Sequence, residues 1–421
     1  MKSAKFDTHD IIRVCKNKLD ITFRDGKEQN GWFLLQGVKK ARITIPKGRK
    51  PVPLNTYKSM ARQLSLPRVA AADDDRIGEV GLILAAHYDL GQVLRSQALT
   101  GGRINRTWRV DTDRGAYVVQ RLHPVFGGDG HVVENARRVT DHLAAKGILA
   151  PQIVPAGSGR TFVSDQETRL WRVMTFIQGN PAPDRTPKTV FEAGRVLGKW
   201  HRVMSDNPPE LLSVLPAAYM HGHPLVAVQF QQAVKKYLHT DKYRHVQEII
   251  AALQDRPADW PGRNYGPVGV VHGDPKWENI LLDAFGRGLC LVDLDTIHIG
   301  FPVLEVADGL RSWSAQAGQE PLALDLLEAG LAGYIKEVPE LAHSIGRFLV
   351  AGLKRVVLEL ILRYLTDYFE ESYFFWDRSM FSSLAEQNLA QALARKAVLD
   401  QIMIRENDIL QMVARLTRHR A

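Results

Sequence analysis

Residues 268–283 read Val-Gly-Val-Val-His-Gly-Asp-Pro-Lys-Trp-Glu-Asn-Ile-Leu-Leu-Asp. An apolar run delivers His272-Gly-Asp274 into a loop, and Asn279 follows just before a second apolar run. Further on, Leu289-Cys-Leu-Val leads into Asp293 at the end of a third. Oxygen-bearing side chains at this spacing suit phosphoryl transfer. One carboxylate must orient an acceptor hydroxyl, and oxygen ligands must hold Mg2+ on the phosphates of ATP. Asp274 fits the first role, and Asn279 with Asp293 the second. Mg2+ keeps several of its waters, so two protein ligands suffice. A lone His-Gly-Asp says little, because Gly-Asp turns are common. The full H-G-D-x4-N-x13-D pattern on alternating strands carries the signal.

Other elements must bring a nucleotide and an acceptor to that centre. Residues 97–110 read as strand, turn, strand around Gly101-Gly102, where backbone amides could approach phosphates, although any hairpin uses such glycines. A second turn, 111–115, leads into a strand over 116–122 that offers Gln120 and Arg121. A helix over 131–146 carries Glu134. In kinase-like folds a strand lysine holds the phosphates and pairs with such a glutamate. The apolar strand 170–179 stands where those folds read adenine, here at Thr175 and Ile177, and reads equally as buried core.

Helical periodicity marks 191–203, 225–238, 243–253, 321–335 and 341–369 as an acceptor-side lobe. On the last of these, Arg363 and Asp367 lie four apart. They are either an intrahelical ion pair worth about 0.3–0.5 kcal/mol or a polar clamp for sugar hydroxyls, with Tyr368 and Tyr373 as stacking surfaces. Tyr373-Phe-Phe-Trp376 reads as core, and His221 and His223 as a solvated loop pair.

The catalytic motif resembles that of the aminoglycoside phosphotransferase/choline kinase superfamily, and more narrowly N-acetylhexosamine 1-kinases. Supporting stretches are 102–108, 117–122, 134–143, 292–296, 308–313 and 358–368, within a likeness over residues 77–402. The resemblance implies an α+β, protein-kinase-like bilobal phosphotransferase fold, with ATP and Mg2+ as cofactors. Asp274 would be the base, Asn279 and Asp293 the metal ligands, and Asp308 a support for the catalytic loop. The acceptor would be a small molecule, foremost a sugar. Alternatives are an aminoglycoside, choline or a nucleoside, or a nucleic-acid-binding regulator with a degenerate kinase portion. Those kinases often carry His-Asn-Asp-Thr-Lys where this chain has His-Gly-Asp-Pro-Lys.

Composition is that of a globular chain: 421 residues, 45% hydrophobic and 24% charged. Two cysteines, Cys15 and Cys290, exclude a disulfide framework. No apolar run approaches the roughly 20 residues that span a bilayer, so a cytoplasmic protein without membrane contact is expected. Residues 1–68 hold 16 Lys/Arg against 5 acids, a surplus of 11, while the rest carries −2. That near-neutral remainder gives no sign of a site for a polycation. The asymmetry predicts a basic unit, 1–68, a linker, 69–76, a strand-rich lobe, 77–177, and a helical lobe, 178–421.

The basic unit reads as helix 8–19, three short strands including 32–36 and 41–46, and helix 57–66. This small αβββα pattern resembles HicA-type toxin domains, which are related to double-stranded RNA-binding (dsRBD-like) folds. The position of that family's catalytic histidine is occupied by Asn30-Gly-Trp-Phe, leaving binding rather than cleavage as the expectation. Lys39, Lys40, Arg42, Lys47, Arg49 and Lys50 would face RNA or an acidic partner.

Overall fold

The computed structural model describes residues 32–36, 42–46, 77–99, 105–123, 130–165, 167–181, 184–206, 212, 225–253, 264–315, 322–374, 376–378 and 380–418. Gly101, Gly102, the linker 69–76, both amino-terminal helices and the His221–His223 loop lie outside them, as do the side chains of the basic cluster. Two of the expected amino-terminal strands are present. Strands β1 (Trp32–Gln36) and β2 (Arg42–Pro46) pair antiparallel, Trp32 opposite Pro46.

The chain divides into two compact units, residues 1–130 with 152–176, and 131–151 with 177–421. In the first, helix α1 (Ile77–His87) precedes β3 (Val93–Leu99), β4 (Arg106–Thr112) and β5 (Gly115–Arg121). Short strands β6 (Ile153–Val154) and β7 (Val163–Ser164) and the longer β8 (Leu170–Thr175) complete an antiparallel sheet ordered β3-β4-β5-β8-β6, with β7 also on β8. Successive strand residues point to opposite faces. One face, carrying Trp108, Val110, Val119, Trp171 and Val173, packs with Val80, Ile83 and Leu84 of α1 into a buried core. Trp108 and Trp171 stack within it at 5.6 Å. The other face carries Thr107, Gln120 and Arg172 in one cross-strand row.

The second unit opens with α2 (His131–Ala145), whose valines and Leu143 recur at helical spacing and are buried. The strand β9 (Asn180–Pro181) leads to α3 (Pro187–Met204), capped by Thr186 with Pro187 in its first turn, then α4 (Leu225–Tyr237) and α5 (Asp241–Leu253). The short strands β10 (Gly269–Val271), β11 (Ile280–Leu282), β12 (Gly288–Leu291) and β13 (His298–Gly300) follow. β10 pairs with β13, and β11 lies between β12 and β9. Helices α6 (Pro302–Trp313), α7 (Leu324–Glu337), α8 (Ala342–Glu370), α9 (Leu384–Ile404) and α10 (Glu406–Thr417) complete the unit. Among the described residues no helix is long and apolar enough to cross a membrane.

Helices α3 and α7 meet through glycines. A Cβ on Gly194 would lie 2.0 Å from the Gly330 carbonyl oxygen, and one on Gly333 2.0 Å from that of Phe191. Only bare backbone permits this approach, and it sets His201 of α3 against Tyr334 of α7.

Candidate active site

Strand β10 ends at His272, and the turn that follows depends on Gly273. Its φ is +89°, and a Cβ would stand 2.2 Å from the Thr296 carbonyl oxygen. An asparagine, which tolerates left-handed backbone, would still meet that oxygen. His272 is fully buried and ties the turn to the loop after β12. Its Nε2 donates to the Val292 carbonyl at 3.0 Å, and its own carbonyl accepts from the Thr296 hydroxyl at 2.9 Å.

The turn presents Asp274. The Asn279 side-chain amide nitrogen donates to the Asp274 main-chain oxygen at 2.8 Å and to Oδ2 at 3.1 Å, which leaves the Asn279 side-chain oxygen, Oδ1, for another ligand. Asn279 also accepts the Val292 backbone amide at 2.9 Å, so the β11–β12 ladder brings Asp293 to the same end as Asn279. Asp293 has left-handed backbone, φ 68° and ψ 66°, unusual outside glycine and a mark of functional constraint. Its carboxylate is partly exposed. Asp274, Asn279 and Asp293 are therefore brought together.

Lys276, two residues past Asp274 in the same motif, was not among the residues singled out from the sequence. Its ammonium bonds Asp274 Oδ2 and stands 3.7 Å from Asp293 Oδ2. Burial works against the charge, but the Asp274 and Asp293 carboxylates outweigh it and hold the Lys276 pKa above the ordinary lysine value. A cation fixed between two carboxylates can meet an incoming phosphate, and the two oxygen ligands fit a divalent ion that retains waters.

The loop is braced from α6. Glu305, buried, accepts the backbone amides of His272 at 3.1 Å and Gly273 at 2.6 Å. His201 Nε2 donates to the same carboxylate at 2.6 Å, and Nδ1 accepts the Tyr334 hydroxyl at 2.7 Å. Burial alone would raise the Glu305 pKa, yet these donors hold it below the ordinary value. Ser312 accepts the Trp277 amide, and the Trp313 indole donates to the Pro275 carbonyl at 2.8 Å. Asp308, expected as the loop's support, is bonded to Arg311 at 2.7 and 2.9 Å. Glu305, one turn earlier on α6, accepts the loop's backbone amides.

On the acceptor side three expectations are corrected. Arg363 donates to Glu359 at 2.9 and 3.1 Å, not to Asp367. Asp367 instead closes the end of α8, accepting the amides of Ser372, Tyr373 and Phe374 at 2.7–3.0 Å and the Asn388 side chain at 2.9 Å. Tyr368 is buried, its hydroxyl donating to the Lys242 carbonyl at 3.3 Å, which removes it as a stacking surface. Tyr373 lies at the surface, 39% exposed, rather than in a core with its aromatic neighbours. Crowding around its phenol raises the Tyr373 pKa. The Arg363 charge opposes that rise, and the Asp274 and Asp367 carboxylates add to it. The phenol thus feels the Asp274 charge.

In the strand-rich unit, Gln120 and Arg121 face opposite ways. Arg121 points to the α1 side, bonding Glu79 at 2.7 and 3.0 Å, and cannot share a ligand with Gln120. Thr175 closes β8 on residue 152, giving its amide to the Gln152 carbonyl and accepting the Gln152 amide on its hydroxyl, both at 2.9 Å. Ile177 is half-buried just beyond it. Glu134 is held within α2 by Arg137 and Arg138, which keep its pKa low.

Residues 95–341 match the profile of the Phosphotransferase enzyme family (APH). The chain belongs to this family. Among curated relatives, the phosphotransferase is 28% identical to the homoserine kinase of Xanthobacter autotrophicus over 236 residues, 54% of this chain and 66% of that one. It is 23% identical to the homoserine kinase of Neisseria meningitidis over 252 residues, 59% of this chain and 75% of that one. The phosphotransferase thus spans just under two thirds of the Xanthobacter relative's length. Among solved structures, an ethanolamine kinase of Plasmodium vivax superposes with a TM-score of 0.56, covering 83% of this chain and 96% of its own at 14% identity. An amicoumacin kinase in complex with AMP-PNP and Ca2+ does so with a TM-score of 0.52, covering 78% and 94% at 16% identity. These likenesses establish the phosphotransferase fold.

Proposed function

We propose that this phosphotransferase moves the γ-phosphoryl group of ATP to a hydroxyl of a small molecule, with a sugar as first candidate. The observation that carries the reading is the Asp274 carboxylate bonded at once to Lys276 and to Asn279, with Asp293 beside them. In this reading Asp274 accepts the acceptor's proton as the new bond forms from its oxygen to the γ-phosphorus. The bond from that phosphorus to the β–γ bridging oxygen breaks, and ADP leaves. Lys276 meets charge on the phosphate oxygens, and Asn279 and Asp293 would hold Mg2+. When bound, that ion neutralises and orients the phosphates. The AMP-PNP and Ca2+ in the amicoumacin kinase support nucleotide and divalent ion as ligands. Arg363 and Tyr373 are the acceptor-side candidates.

A second reading, a hydroxylated amino acid or amine as acceptor, is favoured by the homoserine kinase relatives. One screen separates the two. ADP release is measured with Mg2+ and ATP against hexosamines, hexoses, aminoglycosides, homoserine, ethanolamine and choline. Acceptor-dependent release with sugars alone supports the first reading, and with homoserine or ethanolamine alone the second. No acceptor-dependent release from any class counts against both. The RNA-binding proposal for residues 1–68 is tested in the full chain by a salt-sensitive shift of RNA.

A further inference from the structure

In the strand-rich unit, Leu99, Thr107, Gln120 and Arg172 stand side by side on four neighbouring strands. Leu99 is the last residue of β3. The row lies on the sheet face opposite α1. Arg172 is wholly buried there.

Its guanidinium grips Gln120. Nε and Nη2 of Arg172 donate to Gln120 Oε1 at 2.9 and 2.6 Å. An arginine accepts nothing, so the amide oxygen must face it, and both oxygen lone pairs are used. The amide nitrogen is then forced to the other side. Gln120 Nε2 donates to the Thr107 hydroxyl at 3.0 Å, which accounts for one of its two N–H groups. The second is a donor whose direction Arg172 has set. A cation bonded to an amide oxygen also polarises the amide and strengthens its N–H as a donor.

We propose that Arg172 is a positioning residue for the nucleotide, turning neutral Gln120 into a directed, charge-backed donor to the phosphates where a strand lysine would otherwise supply the charge. The inference rests on the reading of the chain as an ATP-dependent kinase. It also explains why Arg121, next to Gln120 but on the α1 face, is not the substitute cation.

The deciding variant is Gln120→Glu in the full chain. It gives Arg172 a carboxylate partner, so the row is kept and the thermal midpoint holds or rises. The directed N–H is lost and the Arg172 charge is neutralised. Affinity for ADP and for a non-hydrolysable ATP analogue, measured by calorimetry with Mg2+, should fall about ten- to hundredfold. The acceptor KM should not move. Arg172→Met should show the same loss of nucleotide affinity, and the double variant Gln120→Lys/Arg172→Met should regain part of it by restoring a strand lysine. If Arg172→Met does not fold, Gln120→Glu decides. A folded Gln120→Glu protein that binds nucleotide within twofold of the parent overturns the inference and leaves the kinase reading standing. Failure of the unsubstituted protein to bind any nucleotide overturns the kinase reading itself, and this inference with it.

Discussion

Asn279 gives its side-chain amide to Asp274 twice, at 2.8 Å to the main-chain oxygen and at 3.1 Å to the carboxylate. The proposed proton acceptor and the proposed metal ligand are thus one hydrogen-bonded unit. Asp274→Asn keeps a side chain of the same shape, whose amide oxygen can still face Asn279. Turnover should drop by about 10²–10⁴, the span of general base catalysis, while ADP affinity stays near that of the parent. Asn279→Ala should lower both. Calorimetry beside steady-state kinetics separates the two, and retained turnover in Asp274→Asn would remove the assigned role.

Lys276 lies between Asp274 and Asp293 and is held charged by both. Lys276→Met leaves the Asp274 carboxylate facing an incoming polyphosphate without the ammonium that stands between them. A fall in kcat of about 10²–10³ is expected, comparable to losing a charge-stabilising donor in other enzymes. A kcat within threefold of the parent would exclude Lys276 from the reaction.

The Glu305 brace makes a pH prediction. An unfolded glutamate titrates near 4.5, and the folded value lies below it. Its stabilising contribution is therefore complete above about pH 4.5 and fades as pH falls through the folded value. Glu305→Gln should cost about 1–3 kcal/mol at neutral pH, because it replaces a charged acceptor, and this deficit should shrink in acid. Urea midpoints at about pH 7 and pH 3.5 test the sign. A deficit that grows on acidification contradicts it.

Tyr373 and Tyr368 differ in fate although only four residues separate them. Tyr373→Phe should raise the acceptor KM about tenfold, the scale of one lost hydrogen bond to a charged or hydroxyl group. Tyr368→Phe should leave the acceptor KM unchanged. The reverse pattern would return Tyr368 to the site.

Gly194→Ala would drive a methyl into the Gly330 carbonyl. Overpacking of this kind costs about 1–3 kcal/mol, read from the thermal midpoint. Since α3 and α7 also position His201 and Tyr334, turnover should fall more steeply with temperature than in the parent.

The candidate centre was legible because its parts are local. Asp274 and Asn279 share one loop, and Asp293 ends the strand that pairs with the strand following Asn279. Arg363 shows where legibility stops. Glu359 and Asp367 are both four residues away, and a sequence cannot say which carboxylate the helix end will claim for its own unpaired amides. Here it claims Asp367, so the ion pair forms with Glu359. Gln120 and Arg121 were ambiguous for a related reason. The pleat sends neighbours to opposite faces, and only the Glu79 partner on α1 shows which face is which. His201 had no local signal at all, since its carboxylate partner lies 104 positions on.

The seam of glycines between α3 and α7 has a consequence for how such a chain can diverge. Any enlargement there pries apart two rods that support the candidate loop through Tyr334, His201 and Glu305. In the proposed reading, novel acceptor preferences are free to arise around Tyr373 and the end of α8, whereas the glycine seam leaves almost no room for sequence drift.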